Sequence, residues 1–238
     1  MADPVFPPLL SGEAVPHGTD PFAKAIAAAT VGCDPGLIFH DAHADALEAA
    51  IVLAPEAPLE DAMAMVFVAA VGFADALGAL APPEVGVHFL WPGGFRINGA
   101  RCGHLRAAAS TSDPRDEPDW LVIGLSIPFR FQGDQQPGED PDQTVLFEEG
   151  CAEVTPAHLL ESWSRHFLLW MNTWFDGGMT RLHADWRGRA YNLGEEITLS
   201  LADEDHRGTF VGLDEKGGML LRKGTETRLI PLTAFLDT

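Results

Sequence analysis

Positive charge is what this sequence has least of. Its 238 residues include 35 acidic but only 15 basic side chains, and the formal net charge is −20. Three of the basic residues are lysines, Lys24, Lys216 and Lys223. A field of that sign repels polyanions, and no run of basic residues with interleaved aromatics occurs along the chain. We therefore expect no nucleic-acid partner and no binding to an anionic membrane surface.

Cysteines and long apolar runs are also scarce. Cys33, Cys102 and Cys151 are odd in number and lack metal-ligand spacing, which argues against a disulfide framework or a zinc site and favours a cytoplasmic location. The first residues, MADPVFPPLLSGE, do not have the pattern of a signal peptide. The longest apolar region, residues 63–80, is interrupted by Asp75, so we predict a buried helix there and no membrane span.

Hydrophobic residues make up 46% of the chain, enough for one full core. Thr19-Asp20-Pro21 predicts the start of an alanine-rich helix, because Asp can cap the first turn and proline loses no hydrogen bond there. The other elements predicted in this part are strands at 36–39, 50–53, 85–90 and 119–127, a helix at 59–80, a loop at 130–143, and a helix from the Thr155-Pro156 cap to Gly177-Gly178.

Residues 90–105, LWPGGFRINGARCGHL, have the pattern of a corner followed by a hairpin. Glycines permit the positive φ angles that such turns need, and Asn98-Gly99 is a strong signal for a two-residue hairpin turn. From Glu195 onward, short alternating segments separated by turns predict four or five small strands. We therefore predict two domains, residues 1–190 and a small β-barrel at residues 191–238.

Four segments, in this order and spacing, resemble the biotin and lipoate protein ligase family. GTDPFAKA at 18–25 is similar to the family's S-T-N-x-x-A helix start, and the 90–105 segment is similar to W-P-N-D followed by N-G-K-K-x-x-G-I-L. VIGLSIP at 122–128 resembles I-G-x-G-I-N, and GTFVGLDEKGGMLL at 208–221 resembles the C-terminal barrel. The resemblance implies an α+β fold: a mixed β-sheet with helices on one face, followed by a small SH3-like barrel.

Members of this family join a carboxylic acid to ATP and pass the acyl group to a lysine of a carrier domain. The resemblance thus implies ATP and biotin or lipoate as cofactors, and a biotin or lipoyl carrier domain as partner. It also suggests Arg101 and Cys151 as candidate catalytic residues. The candidate ligand-binding residues are Trp91, Gly93, Gly94, Gly103, His104, Gly124 and Ser126.

The sequence departs from the family where ATP would bind. In place of the family's G-R-G-R-R-G loop it has HDAHADALE, residues 40–48, which puts Asp41, Asp45 and Glu48 where cations are expected. Gly93-Gly94 replace the Asn-Asp pair, Arg101 replaces the lysine, and Pro128 replaces the asparagine of I-G-x-G-I-N. Because neighbouring charges interact by about 4 kcal/mol at a surface-like dielectric, we expect repulsion to oppose binding of a triphosphate.

The sequence contains two other candidate sites. His40, His43 and two aspartates fall within six residues, but without a third distant ligand a solvated acidic loop is favoured and no metal is predicted. Cys151 can be compared with the thioester-forming Cys of the family's octanoyl transferases, which need no ATP. In those transferases a proline precedes the cysteine, whereas Gly150 precedes Cys151 here. The acidic neighbours of Cys151 would also raise the pKa of its thiol, so a buried structural cysteine is the alternative.

Arg101 and His104 can together bind a carboxylate or a phosphate, since arginine offers a planar fork of donors, or Arg101 can pair with a surface acid. Three functions stay open. The first is a ligase or acyltransferase acting on a carrier lysine; the second is a non-catalytic relative that binds a small carboxylic acid or acyl conjugate; the third is a protein–protein module on the same scaffold.

Overall fold

The computed structural model describes residues 4–133, 137–201 and 204–237. It contains a large mixed sheet with helices, followed by a small antiparallel sheet. The elements of the first part are β1 (Ser11–Ala14), α1 (Pro21–Thr30), β2 (Leu37–His43), β3 (Ala46–Leu53), α2 (Leu59–Ala62), α3 (Ala64–Gly78), β4 (Val87–Leu90), β5 (Gly94–Ile97), β6 (Ala100–Ala109), β7 (Leu121–Pro128), α4 (Pro156–Gly177) and α5 (Met179–Gly188). Those of the second part are β8 (Glu196–Leu201), β9 (Glu204–Leu213), β10 (Met219–Lys223), β11 (Glu226–Ile230) and a short 3₁₀ helix, Leu232–Phe235.

Seven strands form the large sheet, in the order β1-β2-β3-β7-β6-β5-β4. β1 runs parallel to β2, whereas the other neighbours pair antiparallel, so the sheet is mixed as predicted. The β5–β6 hairpin turns at Asn98 and Gly99, whose φ angles of 49° and 98° are both positive. This confirms the predicted Asn-Gly turn. A two-residue type I′ turn fits the twist of the two strands and needs a positive φ at both central residues.

Residues 40–48 are not the loop that the sequence predicts. β2 and β3 run on through this segment as a hairpin, with His43 paired to Ala46 and only Ala44 and Asp45 in the turn. β3 pairs along its whole length with β7, from Ala46 opposite Pro128 to Leu53 opposite Leu121. That continuous ladder outweighs the lack of glycine or asparagine at the turn.

Helices cover both faces of the large sheet, so the prediction of helices on one face only is wrong for α1. Side chains of a strand alternate between faces. In β3, Ala49 and Ile51 join the core that holds α3 and α4, whereas Ala50 and Val52 pack with Phe22 of α1. The sequence pattern of an amphipathic helix gives its apolar side but not the sheet face that it covers.

α3 is the central helix of the core, with thirteen of its 15 residues buried. The stretch Leu59–Gly78 is long and apolar enough to cross a membrane, but 83% of its most apolar window is buried in the protein. Asp75, which interrupts the apolar run, accepts a hydrogen bond from the Trp170 indole at 2.8 Å and pairs with Arg189 at 2.9 Å. The predicted buried helix is thus confirmed, although a break at Met63 separates it from α2.

α4 begins as predicted, with the Thr155 hydroxyl accepting from the backbone N–H of His158. Gly178, at φ +63°, ends it, but the chain then forms α5, which the sequence did not predict. Its buried residues are Leu182 and Trp186, and the Trp186 ring stacks on Phe67 at 4.8 Å. Met179, Leu182 and Trp186 recur at i, i+3 and i+7, so a helical period is present in this segment.

The second part is a four-stranded antiparallel sheet in the order β11-β10-β9-β8, consistent with the predicted SH3-like domain. It packs on the first part through Phe210, Met219 and Leu221, which belong to the same buried core as α3. Trp91, at the end of β4, donates an indole hydrogen bond to the Gly217 carbonyl at 2.8 Å. The boundary between residues 190 and 191 falls between α5 and β8 and stays a prediction.

Candidate functional site

Two adjoining cavities form one cleft over the strands β3, β6 and β7. Their volumes are about 730 and 560 Å³, within the size range of small-ligand sites. The first cavity extends toward the β2–β3 hairpin and the start of α1, and the second extends toward β5 and the segment after β7. Both cavities are lined by Ala46, Glu48, His104, Ser126, Phe131 and Gln132.

Six of the nine predicted site residues line this cleft. They are Gly94, Arg101, Gly103, His104, Gly124 and Ser126. The sequence could indicate these positions because they come from two of the four segments that resemble the ligase family, 90–105 and 122–128. The register of the sheet brings them together, with His104 of β6 directly opposite Ser126 of β7.

Arg101 reaches the second cavity but is already paired. Its Nε lies 3.0 Å from Asp142 Oδ2, and its side chain is 64% exposed. Asp142 also accepts from Arg96 through its other oxygen, at 2.5 Å. The pairing with a surface acid that the sequence left open is therefore present, and a ligand carboxylate at Arg101 would have to compete with Asp142.

Two of the glycines keep the cleft floor free of side chains. Gly103 has φ +90°, and a Cβ added there would lie 2.3 Å from the Ser126 carbonyl oxygen. A Cβ on Gly124 would lie 2.7 Å from the ring of Phe22. Both positions therefore require glycine for packing, whatever ligand enters the cleft.

Trp91 and Gly93 were predicted to bind ligand, but neither lines the cleft. Trp91 is buried and uses its indole N–H on the Gly217 carbonyl. A Cβ on Gly93 would lie 2.8 Å from Phe235 and 3.0 Å from Leu105. The structure thus corrects these two assignments: the Trp-Pro corner is packed against the C-terminal part, and only its second glycine, Gly94, faces the cleft.

Cys151 also lies away from the cleft, in the turn that precedes α4. It is 1% exposed, and burial, together with the negative charge of Glu149, raises the pKa of its thiol. A nucleophilic cysteine needs a lowered pKa and access to substrate. The position of Cys151 therefore gives no support to a thioester mechanism and agrees with a structural role.

Acidic side chains dominate the first cavity. Asp20, Asp41, Asp45 and Glu48 line it. Burial raises the pKa of Glu48, and the nearby charges of Asp20 and Asp41 act in the same direction, while a hydrogen bond from Ser126 opposes them. The β2–β3 hairpin therefore presents carboxylates to the cleft.

The main cation of the first cavity, Arg106, is committed to protein acids. Its Nη1 lies 3.0 Å from Asp20 Oδ2 and its Nε lies 2.8 Å from Asp237 Oδ2, while the guanidinium covers the Phe22 ring at 4.1 Å. The side chain of His104 is open to the cleft, but the walls desolvate it enough to lower its pKa, and Arg106 adds to that effect. A further arginine of the cleft, Arg130, lies over the Phe147 ring at 4.0 Å.

One cluster in the cleft escaped the sequence analysis. His17, from the segment between β1 and α1, meets Asp41 and His43 of β2, and their ligand-type atoms all lie within 4.8 Å of one another. His17 is 24 residues from Asp41, so no local spacing could have joined them. His40, which the sequence grouped with His43, is buried on the opposite side of β2.

The geometry can be compared with known proteins. Residues 6–188 match the model of the biotin/lipoate A/B protein ligase family, which covers the large sheet and all five helices. The chain belongs to this family. Residues 193–238 match a separate domain family of unknown function, which covers β8 to β11.

Individual relatives agree with this assignment. The chain is 29% identical over 182 residues to the biotin–[acetyl-CoA-carboxylase] ligase of Paracoccus denitrificans, covering 76% of this chain and 75% of that protein. A biotin protein ligase-like protein of unknown function from Silicibacter sp. TM1040 is 54% identical, with a TM-score of 0.91 over 99% of this chain and 100% of that one. The biotin protein ligase of Aquifex aeolicus shares the fold at 18% identity, with a TM-score of 0.71 over 93% and 92%.

Proposed function

We propose that this biotin protein ligase-like protein binds a small carboxylic acid of the biotin, lipoate or octanoate kind, or an acyl conjugate of such an acid, and does so without ATP-dependent adenylation. The observation that carries this proposal is the β2–β3 hairpin. It lies where the family resemblance expects the arginine loop, yet it lines the cleft with Asp41, Asp45 and Glu48.

Repulsion by these carboxylates opposes a triphosphate but not a mainly apolar acyl chain. Phe95, Leu90 and Val145 line the second cavity, so it offers apolar surface next to Arg101 and Thr144. An acid can place its chain against these apolar residues and its carboxylate near Arg101. Small-molecule sites commonly combine a mainly apolar lining with a few polar groups that fix the orientation of the ligand. The residues present thus fit an acyl ligand better than they fit ATP.

Pyrophosphate exchange is the most direct test of the missing adenylation. The purified protein is incubated with ATP, labelled pyrophosphate and biotin, lipoate, octanoate or a short fatty acid, and an active biotin protein ligase serves as the positive control. We expect no exchange above the blank without acid. Exchange with any of these acids would contradict the proposal that adenylation is lost.

Binding is measured separately, by the thermal unfolding midpoint. A ligand that binds only the folded state raises Tm, by an amount that grows with its concentration relative to Kd. We expect at least one acid or acyl-adenylate analogue to raise Tm, and an Arg101→Ala variant to reduce the rise. If none does so, the acid-binding proposal fails and the scaffold is better regarded as a protein–protein module.

A second candidate is the attachment or transfer of the acyl group to a carrier lysine. The 29% identity to a protein named as a biotin–[acetyl-CoA-carboxylase] ligase favours it. It is tested by incubating a biotin carboxyl carrier domain with preformed biotinyl adenylate, with and without this protein. Faster labelling of the carrier in its presence would support transfer and would leave the missing ATP step unaffected.

A further inference from the structure

We propose that His17, Asp41 and His43 form a binding site for one divalent transition-metal ion, of the Zn²⁺ class, at the end of the first cavity. Two imidazoles and one carboxylate are a ligand set that Zn²⁺ accepts, and three protein ligands leave one coordination position for water or a ligand. Binding of the metal at these residues does not depend on the proposed acid binding.

The positions of the three residues follow from the backbone. Asp41 and His43 are two apart on β2, so both project from the same face of the strand, while His40 and Ala42 project from the other. β1 pairs in parallel with β2 as far as Ala14 opposite His40, and the backbone N–H of Val15 bonds to the His40 carbonyl at 2.9 Å. The chain therefore passes His17 alongside the end of β2.

The Asp41 carboxylate lies between the two imidazole rings. Its Oδ2 is 3.0 Å from His17 Nδ1, its Oδ1 is 3.5 Å from His43 Nδ1, and the two rings are 4.4 Å apart between centroids. Ligand atoms of a tetrahedral Zn²⁺ site lie roughly 3.3 Å apart, given metal–ligand distances near 2.0 to 2.1 Å. Small side-chain rotations that move these ligand atoms by about an ångström would therefore let His17, Asp41 and His43 bind one ion.

His43 supplies the observation that an ordinary hydrogen-bonded cluster leaves unexplained. Its Nδ1 is buried and makes no hydrogen bond within the described part of the chain. Buried polar atoms are rarely left without a partner, because the hydration that they lose on folding is then not replaced. A metal ion shared with Asp41 and His17 would give this nitrogen a partner.

The surroundings suit a cation and select its class. Asp20, Asp45 and Glu48 line the same cavity, so the local field attracts positive charge. His17 is 73% exposed, whereas Asp41 and His43 are 12% and 23% exposed, so an ion can enter from solvent onto two ligands that are already held in place. Two nitrogen donors favour Zn²⁺, Co²⁺ or Ni²⁺ over Mg²⁺ and Ca²⁺, which prefer oxygen ligands.

The test is Zn²⁺ binding to the full chain without an affinity tag, since a polyhistidine tag would bind metal itself. The chain is titrated in competition with a chromophoric chelator, and Co²⁺ is added in a parallel experiment to read its visible absorption bands. We expect one Zn²⁺ to bind per chain and the bound Co²⁺ to show the absorption bands of a site with a low coordination number. Millimolar Mg²⁺ should not compete with Zn²⁺ for the site.

Two variants assign the site. Loss of a mere outer-shell partner costs about 10–100-fold in metal affinity, so His17→Ala and His43→Ala should each weaken Zn²⁺ binding at least tenfold and remove the Co²⁺ bands. His158→Ala, at an exposed histidine by the start of α4, should change neither. His17 is exposed, so its variant keeps the fold, which circular dichroism verifies. Absent binding, or binding that His17→Ala and His43→Ala leave intact, would overturn the proposal.

Discussion

The Ser126 hydroxyl donates a hydrogen bond to Glu48 Oε1 at 2.7 Å, and the two residues face each other across the β3–β7 pair. They lie on the floor where the two cavities of the cleft join. The bond compensates in part for the cost of placing a carboxylate there. The pKa of Glu48 is nevertheless raised, mainly by burial and further by Asp20 and Asp41, so the charged form is less favourable in the folded protein than in the unfolded chain.

Replacing Glu48 with Gln should stabilise the protein at neutral pH. Glutamine keeps an oxygen to accept the Ser126 hydrogen bond and carries no charge. Because the folded-state pKa is raised, the penalty in the wild type is absent below the pKa of the unfolded chain, about 4.3, grows as the pH rises above that value, and is complete above the folded-state pKa. We expect a higher Tm at pH 7, by about 1–3 °C, and a gain that vanishes near pH 4.

The matched control for this change is Glu153→Gln, at an exposed acid outside the cleft. It removes the same charge without altering the Ser126 contact, so its Tm should stay close to that of the wild type at both pH values. Differential scanning calorimetry of the three proteins gives the comparison. A Glu48→Gln variant that is less stable than the wild type at pH 7 would contradict the assigned cost of the buried charge.

Gly103 should tolerate alanine much less well than Gly99 does. Both have positive φ, 90° and 98°, so each pays about 1–2 kcal/mol for a side chain in the left-handed region. At Gly99 nothing lies within 4 Å of an added Cβ, whereas at Gly103 that atom would be 2.3 Å from the Ser126 carbonyl oxygen. Overpacking of this kind adds about 1–3 kcal/mol.

Urea unfolding of the two alanine variants separates the two costs. Gly99→Ala should lose only the backbone contribution, and the difference between the variants reports the contact with β7. Equal losses in unfolding free energy would mean that β6 can move away from Ser126 at little cost. The floor of the cleft would then be more deformable than its close packing indicates.

Local signals made some of this architecture predictable. The Asn98-Gly99 turn and the Asp20 and Thr155 helix caps depend on residues within a few positions of one another, and all three occur as predicted. The β2–β3 turn at Ala44-Asp45 lacks such residues, and its strands are fixed instead by pairing with β7. Structure set by partners distant in sequence was not visible in the local pattern.

In the candidate site, too, local sequence signals are informative, whereas contacts between residues distant in sequence are not visible in the local pattern. Segments with a family resemblance contain His104, Ser126, Gly94, Gly103 and Gly124, which line the cleft, and their role in ligand binding stays a prediction. The partners that set their chemistry come from afar: Glu48 lies 78 residues from Ser126, and His17 joins Asp41 across 24. Trp91 was misassigned because a motif residue near a site is hard to distinguish, by sequence, from one that packs behind it.

Trp91→Phe should loosen the attachment of the C-terminal sheet. The phenyl ring retains most of the buried surface but leaves the Gly217 carbonyl without the indole N–H that it accepts at 2.8 Å. An unsatisfied buried carbonyl costs about 1–3 kcal/mol. Trp163→Phe is the control, since it removes an indole bond to the Ala69 carbonyl inside the first part. Hydrogen exchange in β10 and β11 should speed up in the Trp91 variant and not in the control.

Reversing one charge of the β2–β3 hairpin should raise the affinity of the protein for polyphosphate. Asp45 lines the first cavity, and Asp45→Arg changes the local charge by two units at the place where the family resemblance expects arginines. At separations of several ångströms and a surface-like dielectric, such a change contributes on the order of 1–2 kcal/mol toward a bound anion, or about tenfold in Kd. Fluorescent ATP analogues measure this change directly.

Glu56→Arg makes the same change in net charge at an exposed position away from the cleft. Long-range attraction alone would raise the affinity of both variants equally, and it would be screened in about 0.15 M salt, where the Debye length is about 8 Å. A gain confined to Asp45→Arg and retained at that salt concentration would mean that the acidic hairpin itself opposes ATP. No gain in either variant would place the cause elsewhere in the cleft, at Gly94, Arg101 or Pro128, where the sequence also departs from the family motifs.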